Sequence, residues 1–104
     1  MKIVIVGASG TLGSKITEDL ENDHEVIKVG TKTGDIQADI TDVNSLKKMF
    51  EKIGSFDALV CAAGGGHFGP LKEMTPEDFM KGVNSKLMGQ VNLVLRGQHY
   101  INPW

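Results

Sequence analysis

Apolar residues follow two kinds of pattern along the chain, and the two kinds alternate. Continuous apolar runs fall within Lys2–Val6, Glu25–Val29 and Phe56–Ala62, and a shorter one falls within Asp35–Ile40. Such runs are typical of strands that are buried on both faces of a parallel sheet. Between and after the runs, apolar residues recur every three or four positions, which predicts helices with one apolar face.

This helical spacing predicts three helices. The first covers Thr11–Glu21, the second begins after Thr41-Asp42 and ends at Gly54, and the third is a long helix over Pro76–His99 that is capped by Thr75. The apolar positions are Leu12, Ile16 and Leu20 in the first helix, Val43, Leu46, Phe50 and Ile53 in the second, and Phe79, Val83, Leu87, Val91 and Val94 or Leu95 in the third.

The alternation of strands and helices determines the predicted fold class. It implies right-handed βαβ crossovers and helices on both faces of the sheet. The predicted fold is therefore α/β, with a doubly wound parallel sheet. At 104 residues the chain has room for one domain at most, so residues 1–104 are expected to form a single unit.

A glycine-rich segment, Gly7-Ala8-Ser9-Gly10-Thr11-Leu12-Gly13, joins the first strand to the first helix. In this context the glycines match a loop that binds the pyrophosphate of a dinucleotide. Gly7 permits the sharp turn, Gly10 allows the backbone to approach a phosphate, and Gly13 allows close packing of helix on strand. The helix N-terminus offers free N–H groups and a partial positive charge. The residues predicted to bind the cofactor here are Gly7, Ser9, Gly10, Thr11, Leu12 and Gly13.

This loop has two alternative interpretations. A Walker-type loop is excluded because no Gly-Lys-Ser/Thr sequence follows the glycines. An ordinary strand-to-helix turn that happens to be rich in glycine is the remaining alternative to a nucleotide site.

The residues after the second strand favour one dinucleotide over the other. An acidic residue there would bind the ribose 2′-hydroxyl of NAD. The sequence instead reads Val29-Gly30-Thr31-Lys32, with no acid and one cation. Thr31 and Lys32 are therefore predicted to bind the 2′-phosphate of NADP, with NAD as the second choice. The alternative is that Lys32 is a solvated loop lysine.

The composition limits the classes of partner that are expected and does not change the predicted fold. Hydrophobic residues make up 40% and charged residues 23% of the chain, and the formal net charge is -2. Neither nucleic acid nor a membrane surface is expected as a partner, since both favour a clustered basic face. The single cysteine, Cys61, excludes a disulfide framework, and no metal site is indicated. The first apolar run is too short for a signal peptide, so a cytoplasmic location is expected.

Further motifs resemble those of the short-chain dehydrogenase/reductase family over essentially the whole chain. The Gly-x-x-Gly-x-x-Gly spacing is similar to that of the family's atypical and extended members. Asp39-Ile40-Thr41-Asp42 resembles an acidic-aliphatic motif after the third strand, whose first two residues would border the adenine. Cys61-Ala62-Ala63-Gly64 lies where members carry Asn-Asn-Ala-Gly, and its last two residues would lie beside the cofactor's ribose.

The resemblance implies a Rossmann-type fold that binds NAD(P). It also implies hydride transfer between the nicotinamide and a small carbonyl or alcohol substrate. Asn84 matches the family's asparagine in the helix after the fourth strand, which bends its helix and helps to hold a water in a proton relay. Asn84 is the one residue of this chain given a catalytic role, and a helical surface asparagine is the alternative.

The family's catalytic Tyr-x-x-x-Lys pair is absent from this chain. The one tyrosine, Tyr100, is followed four positions later by Trp104, so Tyr100 is interpreted as a core or interface aromatic. The expected structure is a Rossmann-type doubly wound parallel sheet truncated after about four strands. It would be the N-terminal, cofactor-binding half of a short-chain dehydrogenase.

The sequence therefore leaves two candidate functions. The first is an NADP-preferring short-chain dehydrogenase/reductase, and the second is a non-catalytic dinucleotide-binding module or an inactive half-domain. A long helix without its usual neighbours would also expose apolar residues and favour a homo-oligomer. The residues expected on that surface are Phe79, Met80, Leu87, Met88, Val91 and Leu95.

Overall fold

The computed structural model describes residues 1–64 and 69–103, and a parallel four-stranded sheet lies at its centre. The strands are β1 (Lys2–Val6), β2 (Glu25–Gly30), β3 (Ile36–Gln37) and β4 (Ala58–Cys61). Their order in the sheet is β3-β2-β1-β4, so the chain winds outward from β1 in both directions. The predicted α/β fold with a doubly wound parallel sheet is confirmed.

Helices pack on both faces of this sheet. They are α1 (Thr11–Leu20), α2 (Val43–Ile53), α3 (Pro76–Gly82) and α4 (Met88–Gly97), and a short 3-10 turn covers Leu71–Glu73. On one face, Ile3 and Ile5 of β1 pack with Ala8 and the apolar residues of α1. On the other face, Val4 and Val6 pack with α2 and α4. This division follows from the alternation of side chains along a strand, which places neighbouring residues on opposite faces.

Side-chain caps mark the start of α2 and α3 as the sequence predicts. The Asp42 carboxylate accepts hydrogen bonds from the backbone N–H groups of Asn44 and Ser45. At α3, Thr75 and Asp78 form a reciprocal capping box. Gly54, with φ of 71°, ends α2 in the conformation that glycine adopts most readily.

The long third helix predicted over Pro76–His99 is interrupted in the structure. A π-helical segment at Val83–Leu87 separates α3 from α4, and α4 ends at Gly97. The buried positions of α4 are Gly89, Leu93 and Gly97. A Cβ atom at Gly89 would lie 2.8 Å from Ile40 Cδ1, so the absence of a side chain there lets α4 approach the loop after β3.

The predicted apolar faces of α1 and of the third helix compare differently with the structure. In α1, Ile16 and Leu20 pack against the core as predicted, but Leu12 is 64% exposed, and the buried positions of the helix are Gly13 and Thr17. The predicted apolar side of the third helix lies outside the core, as expected for a helix without all its neighbours. Its exposed residues include Phe79, Met80, Val83, Leu87, Met88, Val91, Val94 and Leu95.

The strands at both edges are shorter than predicted. The run Asp35–Ile40 contributes only Ile36–Gln37, because only Val29 and Gly30 of β2 find strand partners there. The run Phe56–Ala62 contributes Ala58–Cys61. None of the helices in the described parts of the chain is long and apolar enough to cross a membrane.

Candidate functional site

A cleft of about 400 Å³ opens at the carboxyl ends of the strands, between the loops that follow β1, β2, β3 and β4. It spans the point beside β1 where the winding of the sheet reverses, which is where open α/β sheets bind their ligands. The lining residues are Val6, Gly7, Ser9, Gly10, Gly30, Thr31, Ala38, Asp39, Ile40, Thr41, Ala62, Ala63, Gly64 and Ser85.

The turn after β1 forms the floor of the cleft. Gly7 has a φ of 85°, a conformation that side chains rarely adopt. Its N–H donates a hydrogen bond to the Val29 carbonyl, with an N–O distance of 2.8 Å. A Cβ atom at Gly7 would lie 2.7 Å from the backbone nitrogen of Ala63, so β1 and β4 can both supply backbone to the cleft only because this residue is glycine.

The three glycines of the loop have different surroundings. A Cβ atom at Gly13 would lie 1.8 Å from the Gly7 carbonyl oxygen, which leaves no room for any side chain. At Gly10 the nearest atom to such a Cβ would be that same oxygen at 3.5 Å, an ordinary van der Waals distance. Packing within the protein therefore requires glycine at position 13 but not at position 10, where the open space belongs to the cleft.

The N-terminus of α1 differs from those of α2 and α3. Gly10 is its N-cap and has no side chain that could accept a hydrogen bond from the first turn, and no acidic residue stands in that turn. The first backbone N–H groups of a helix have no partner within the helix. In α2 and α3 capping side chains satisfy some of these groups, whereas α1 begins beside the cleft with no such cap. This terminus can bind an anion through its N–H groups and its partial positive charge.

On the β3 side, the Asp39 carboxylate is held by Thr41. Asp39 Oδ1 accepts hydrogen bonds from Thr41 Oγ1 at 2.7 Å and from the Thr41 backbone N–H at 2.9 Å. These two bonds hold the pKa of Asp39 below its ordinary value, and the bond from the Thr41 hydroxyl has the larger effect. The Asp39 carboxylate is charged at neutral pH and can accept a hydrogen bond from an amino group.

Removal of the Thr41 hydroxyl should raise the pKa of Asp39. The hydrogen bonds from Thr41 to the charged Asp39 carboxylate stabilise the fold at neutral pH. This stabilisation is lost as the pH falls through the lowered pKa of Asp39, because a protonated carboxyl attracts the two Thr41 donors less strongly. In Thr41→Val, we expect an NMR pH titration to show Asp39 closer to the ordinary value of about 3.9. An unchanged Asp39 titration in Thr41→Val would contradict this assignment.

The two residues that follow β2 differ in whether they line the cleft. Thr31 lines it, whereas Lys32 is exposed and is not among the lining residues. The Lys32 backbone carbonyl accepts a hydrogen bond from Gln37 Nε2 at 2.9 Å, which fixes the loop while its ammonium group extends from the surface. Thr31 therefore belongs to the wall of the cleft, and Lys32 is its exposed neighbour in the sequence.

The wall formed after β4 brings together two distant segments. Gly64 has a φ of 147°, and a Cβ atom there would lie 3.0 Å from Lys86 Cγ. Lys86 and its neighbour Ser85 belong to the π-helical segment, and Ser85 lines the cleft. The insertion of a π turn therefore presents Ser85 at the cleft, while Asn84 is exposed and does not line it.

Most of the predicted cofactor-binding residues thus meet at one cleft, and their individual roles stay predictions. Those that do not line it are Thr11, Leu12, Gly13 and Lys32, and Asn84, which was predicted to be catalytic, does not line it either. Several lining residues were not predicted, namely Val6, Gly30, Ala38, Thr41, Ala62 and Ser85. Gly30 carried a usable signal, since a glycine at the end of a parallel strand often marks a close approach. A Cβ atom there would lie 2.6 Å from the Thr33 carbonyl oxygen.

Comparison with protein families adds an independent line of evidence. Residues 3–97 match the model of the NAD dependent epimerase/dehydratase family. A sepiapterin reductase from Chlorobaculum tepidum is 37% identical over 83 residues, which is 75% of this chain and 34% of that protein.

Solved structures resemble nearly the whole chain. A Listeria innocua protein is 51% identical, with a TM-score of 0.95 over 98% of this chain and 51% of its own length. A small-chain dehydrogenase solved in complex with NADPH is 26% identical, with a TM-score of 0.87 over 98% of this chain and 46% of its own. A short chain dehydrogenase from Leptospira borgpetersenii with bound NAD+ is 27% identical, with a TM-score of 0.83 over 94% of this chain and 44% of its own. The chain therefore spans about half the length of these structures.

Proposed function

Because this chain belongs to the NAD-dependent epimerase/dehydratase family and has the fold of the N-terminal half of short-chain dehydrogenases, we propose that its cleft binds NADP(H) in preference to NAD(H). The protein would then supply the cofactor-binding half of a reductase that acts on a small carbonyl or alcohol substrate. Membership in this family by itself supports a dinucleotide-binding oxidoreductase fold. Solved relatives carry NADPH in one case and NAD+ in another, so the preference has to come from this chain's own residues.

The observation that carries the proposal is the uncapped start of α1 beside the cleft. Gly10 opens this helix with no capping side chain, and the protein's own packing does not require glycine there. A pyrophosphate would satisfy the N–H groups that the sequence leaves without a cap. A capping side chain at this position would compete with the pyrophosphate for these N–H groups.

The remaining lining residues fit the other parts of a dinucleotide. Asp39 and Ile40 would border the adenine, and the charged Asp39 carboxylate would accept a hydrogen bond from the adenine amino group. Ala63 and Gly64 would follow the ribose through their backbone. Thr31 and Lys32 would bind the 2′-phosphate, since a hydroxyl and an ammonium group both donate hydrogen bonds to phosphate oxygens.

The chemistry of the reaction is divided between this chain and residues that it does not contain. When bound, the nicotinamide supplies or accepts the hydride. In this chain, Asn84 would help to hold a water in the proton relay, and Ser85 lines the cleft next to it. The Tyr-x-x-x-Lys pair that the resemblance implies as proton donor is not in the sequence.

Substitution of Lys32 should distinguish the two cofactors. In Lys32→Ala, we expect the affinity for NADPH to fall by about 1.5–3 kcal/mol, the range for a charge-assisted hydrogen bond, with the affinity for NADH unchanged. The measurement is a calorimetric titration of each cofactor into each protein. Lys47→Ala removes an exposed lysine of α2 and serves as the matched control.

Two results would contradict the preference. One is an equal or tighter binding of NADH by the unaltered chain. The other is an equal loss of affinity for both cofactors in Lys32→Ala. That result would mean that Lys32 stabilises the loop and does not bind the 2′-phosphate.

We also propose that two copies associate through the helix face, defined as Phe79, Met80, Leu87, Met88, Val91 and Leu95. Each of these side chains is at least 38% exposed, which is a large apolar surface for a protein of this size. In Val91→Glu/Leu95→Glu, light scattering should give the mass of a monomer, whereas the unaltered chain and a Leu71→Glu control should give a multiple of it. A monomeric unaltered chain would contradict this association.

A further inference from the structure

The π-helical segment Val83–Leu87 is an irregular turn that lies beside the cleft. The Met88 N–H donates its hydrogen bond to the Val83 carbonyl, which is the i+5 pattern of a π-helix and accommodates one extra residue in the turn. None of its five residues is buried, so the turn contributes little to the core. Because π turns are rare and are frequently found at functional sites, this segment is a candidate for a role in ligand binding.

Lys86 of this segment packs against the wall of the cleft that follows β4. Gly64 belongs to that wall, and a Cβ atom on it would lie 3.0 Å from Lys86 Cγ, 3.7 Å from Lys86 Cα and 3.9 Å from Lys86 Cβ. The stem of Lys86 therefore occupies the space beside Gly64. Lysine stems commonly pack on a surface in this way while the ammonium group extends beyond it. The π turn thus brings a cationic side chain to the β4 side of the cleft.

The charge of the cleft gives this lysine a possible partner. Among the lining residues that the structure describes, the one charged side chain is that of Asp39, which is negative, whereas the pyrophosphate of a dinucleotide needs positive charge nearby. Two lysines in the described parts of the chain are next in sequence to a lining residue. Lys32 follows Thr31 on the β2 side, and Lys86 follows Ser85 on the β4 side.

The two sides of the cleft match the two halves of a dinucleotide. Under the proposed function, on which this inference rests, the pyrophosphate lies at the start of α1 and the adenosine half extends toward Asp39 and Thr31. The other half then has to extend toward the wall after β4, since β4 lies on the opposite side of β1 from β2 and β3. The first group of that half beyond the pyrophosphate is a ribose, and its hydroxyl oxygens can accept hydrogen bonds from an ammonium group.

We propose that Lys86 binds the nicotinamide-side ribose of the cofactor by donating a hydrogen bond from its ammonium group to a ribose hydroxyl. Hydrogen bonds with a charged donor are roughly twice as strong as neutral ones, so this contact contributes measurably to affinity. Lys32 and Lys86 then have separate tasks. Lys32 binds the adenosine half of the cofactor, and Lys86 holds the nicotinamide half against the β4 wall.

The test compares three probes by calorimetric titration of the unaltered chain and of Lys86→Met, which keeps an apolar stem and removes the charge. Adenosine 2′,5′-bisphosphate has no second ribose, 2′-phospho-ADP-ribose has the second ribose but no nicotinamide, and NADPH has both. In Lys86→Met, we expect the affinities for 2′-phospho-ADP-ribose and NADPH to fall at least tenfold, the lower limit for a lost hydrogen bond to a charged group. The affinity for adenosine 2′,5′-bisphosphate should remain unchanged.

Two further variants separate this contact from a general effect of charge. Lys86→Arg keeps a cation at the same position and should restore most of the affinity that Lys86→Met loses. Lys48→Met removes an exposed lysine of α2 that is not next to a lining residue, and it should leave all three affinities unchanged. Lys86 is exposed, so its variants are expected to fold, and circular dichroism checks this.

Three results with Lys86→Met would overturn the proposal. Unchanged affinities for all three probes would show that Lys86 does not contact the cofactor. An equal loss for all three would assign its effect to the adenosine half, and a loss confined to NADPH would assign the contact to the nicotinamide ring. If the folded, unaltered chain bound none of the three probes, the proposed function itself would be contradicted, and this inference with it.

Discussion

Replacement of Gly13 by alanine is expected to destabilise the fold by about 3 kcal/mol, the upper end of the usual range for overpacking a buried site. The new Cβ atom would lie 1.8 Å from the Gly7 carbonyl oxygen and 2.8 Å from the Gly7 carbonyl carbon. Both contacts are with backbone, so no side chain can rotate away to relieve them. α1 would have to move off β1, which would disturb the turn that forms the floor of the cleft.

The measurement is urea unfolding followed by circular dichroism, with Gly82→Ala as the matched control. Gly82 lies at the end of α3, and a Cβ atom there would meet nothing within 4 Å. Alanine in a helix should stabilise the chain by about 0.5–1 kcal/mol at such a position. The two substitutions are chemically identical, so opposite signs would locate the effect in the packing of Gly13. Equal effects would show that α1 does not lie against β1 as described.

Replacement of Gly10 by aspartate is expected to weaken cofactor binding without lowering the stability of the fold. The backbone of Gly10 has the φ of -73° and ψ of 175° that an N-cap residue adopts, and aspartate is among the best N-cap residues. Its carboxylate would satisfy the N–H groups of α1 and place a negative charge where the pyrophosphate is proposed to bind. The loss of even one charge-assisted hydrogen bond amounts to about 1.5–3 kcal/mol of affinity.

This variant should therefore bind NADPH at least tenfold more weakly while its melting temperature stays the same or rises. Ser14→Asp is the matched control, because it adds the same charge to an exposed position of α1 that does not line the cleft. Calorimetry and thermal unfolding measure the two properties. If Gly10→Asp bound NADPH as well as the unaltered chain does, the start of α1 would not be the phosphate site.

The features that the sequence predicted well are those determined by local chemistry. The turn at Gly7, the close contact at Gly13 and the cap at Asp42 each depend on residues within one loop, so the pattern of residue types was sufficient. The sheet followed from the alternation of strands and helices, because parallel strands need crossover connections. Because the strands are parallel, the segments that follow them lie at one end of the sheet, where the structure places the cleft.

The features that were missed depend on contacts between distant segments. The interruption of the third helix at Val83–Leu87 has no single breaking residue such as proline, and it presents Ser85 rather than Asn84 to the cleft. The approach of Gly89 to Ile40 joins residues that are far apart in the sequence. In a helix of mixed apolar and small residues, the periodicity marks an apolar side but does not say whether that side or the small residues will face the sheet.

The start of α1 as a phosphate site is the central claim, and NMR observes it most directly. In a titration of the 15N-labelled chain with NADPH, we predict saturable shifts that are largest for the backbone amides of Thr11, Leu12 and Gly13. The capped start of α3, reported by the amide of Asp78, should remain unaffected. Saturation with these α1 amides unmoved, or the absence of any binding by the folded chain, would contradict the account.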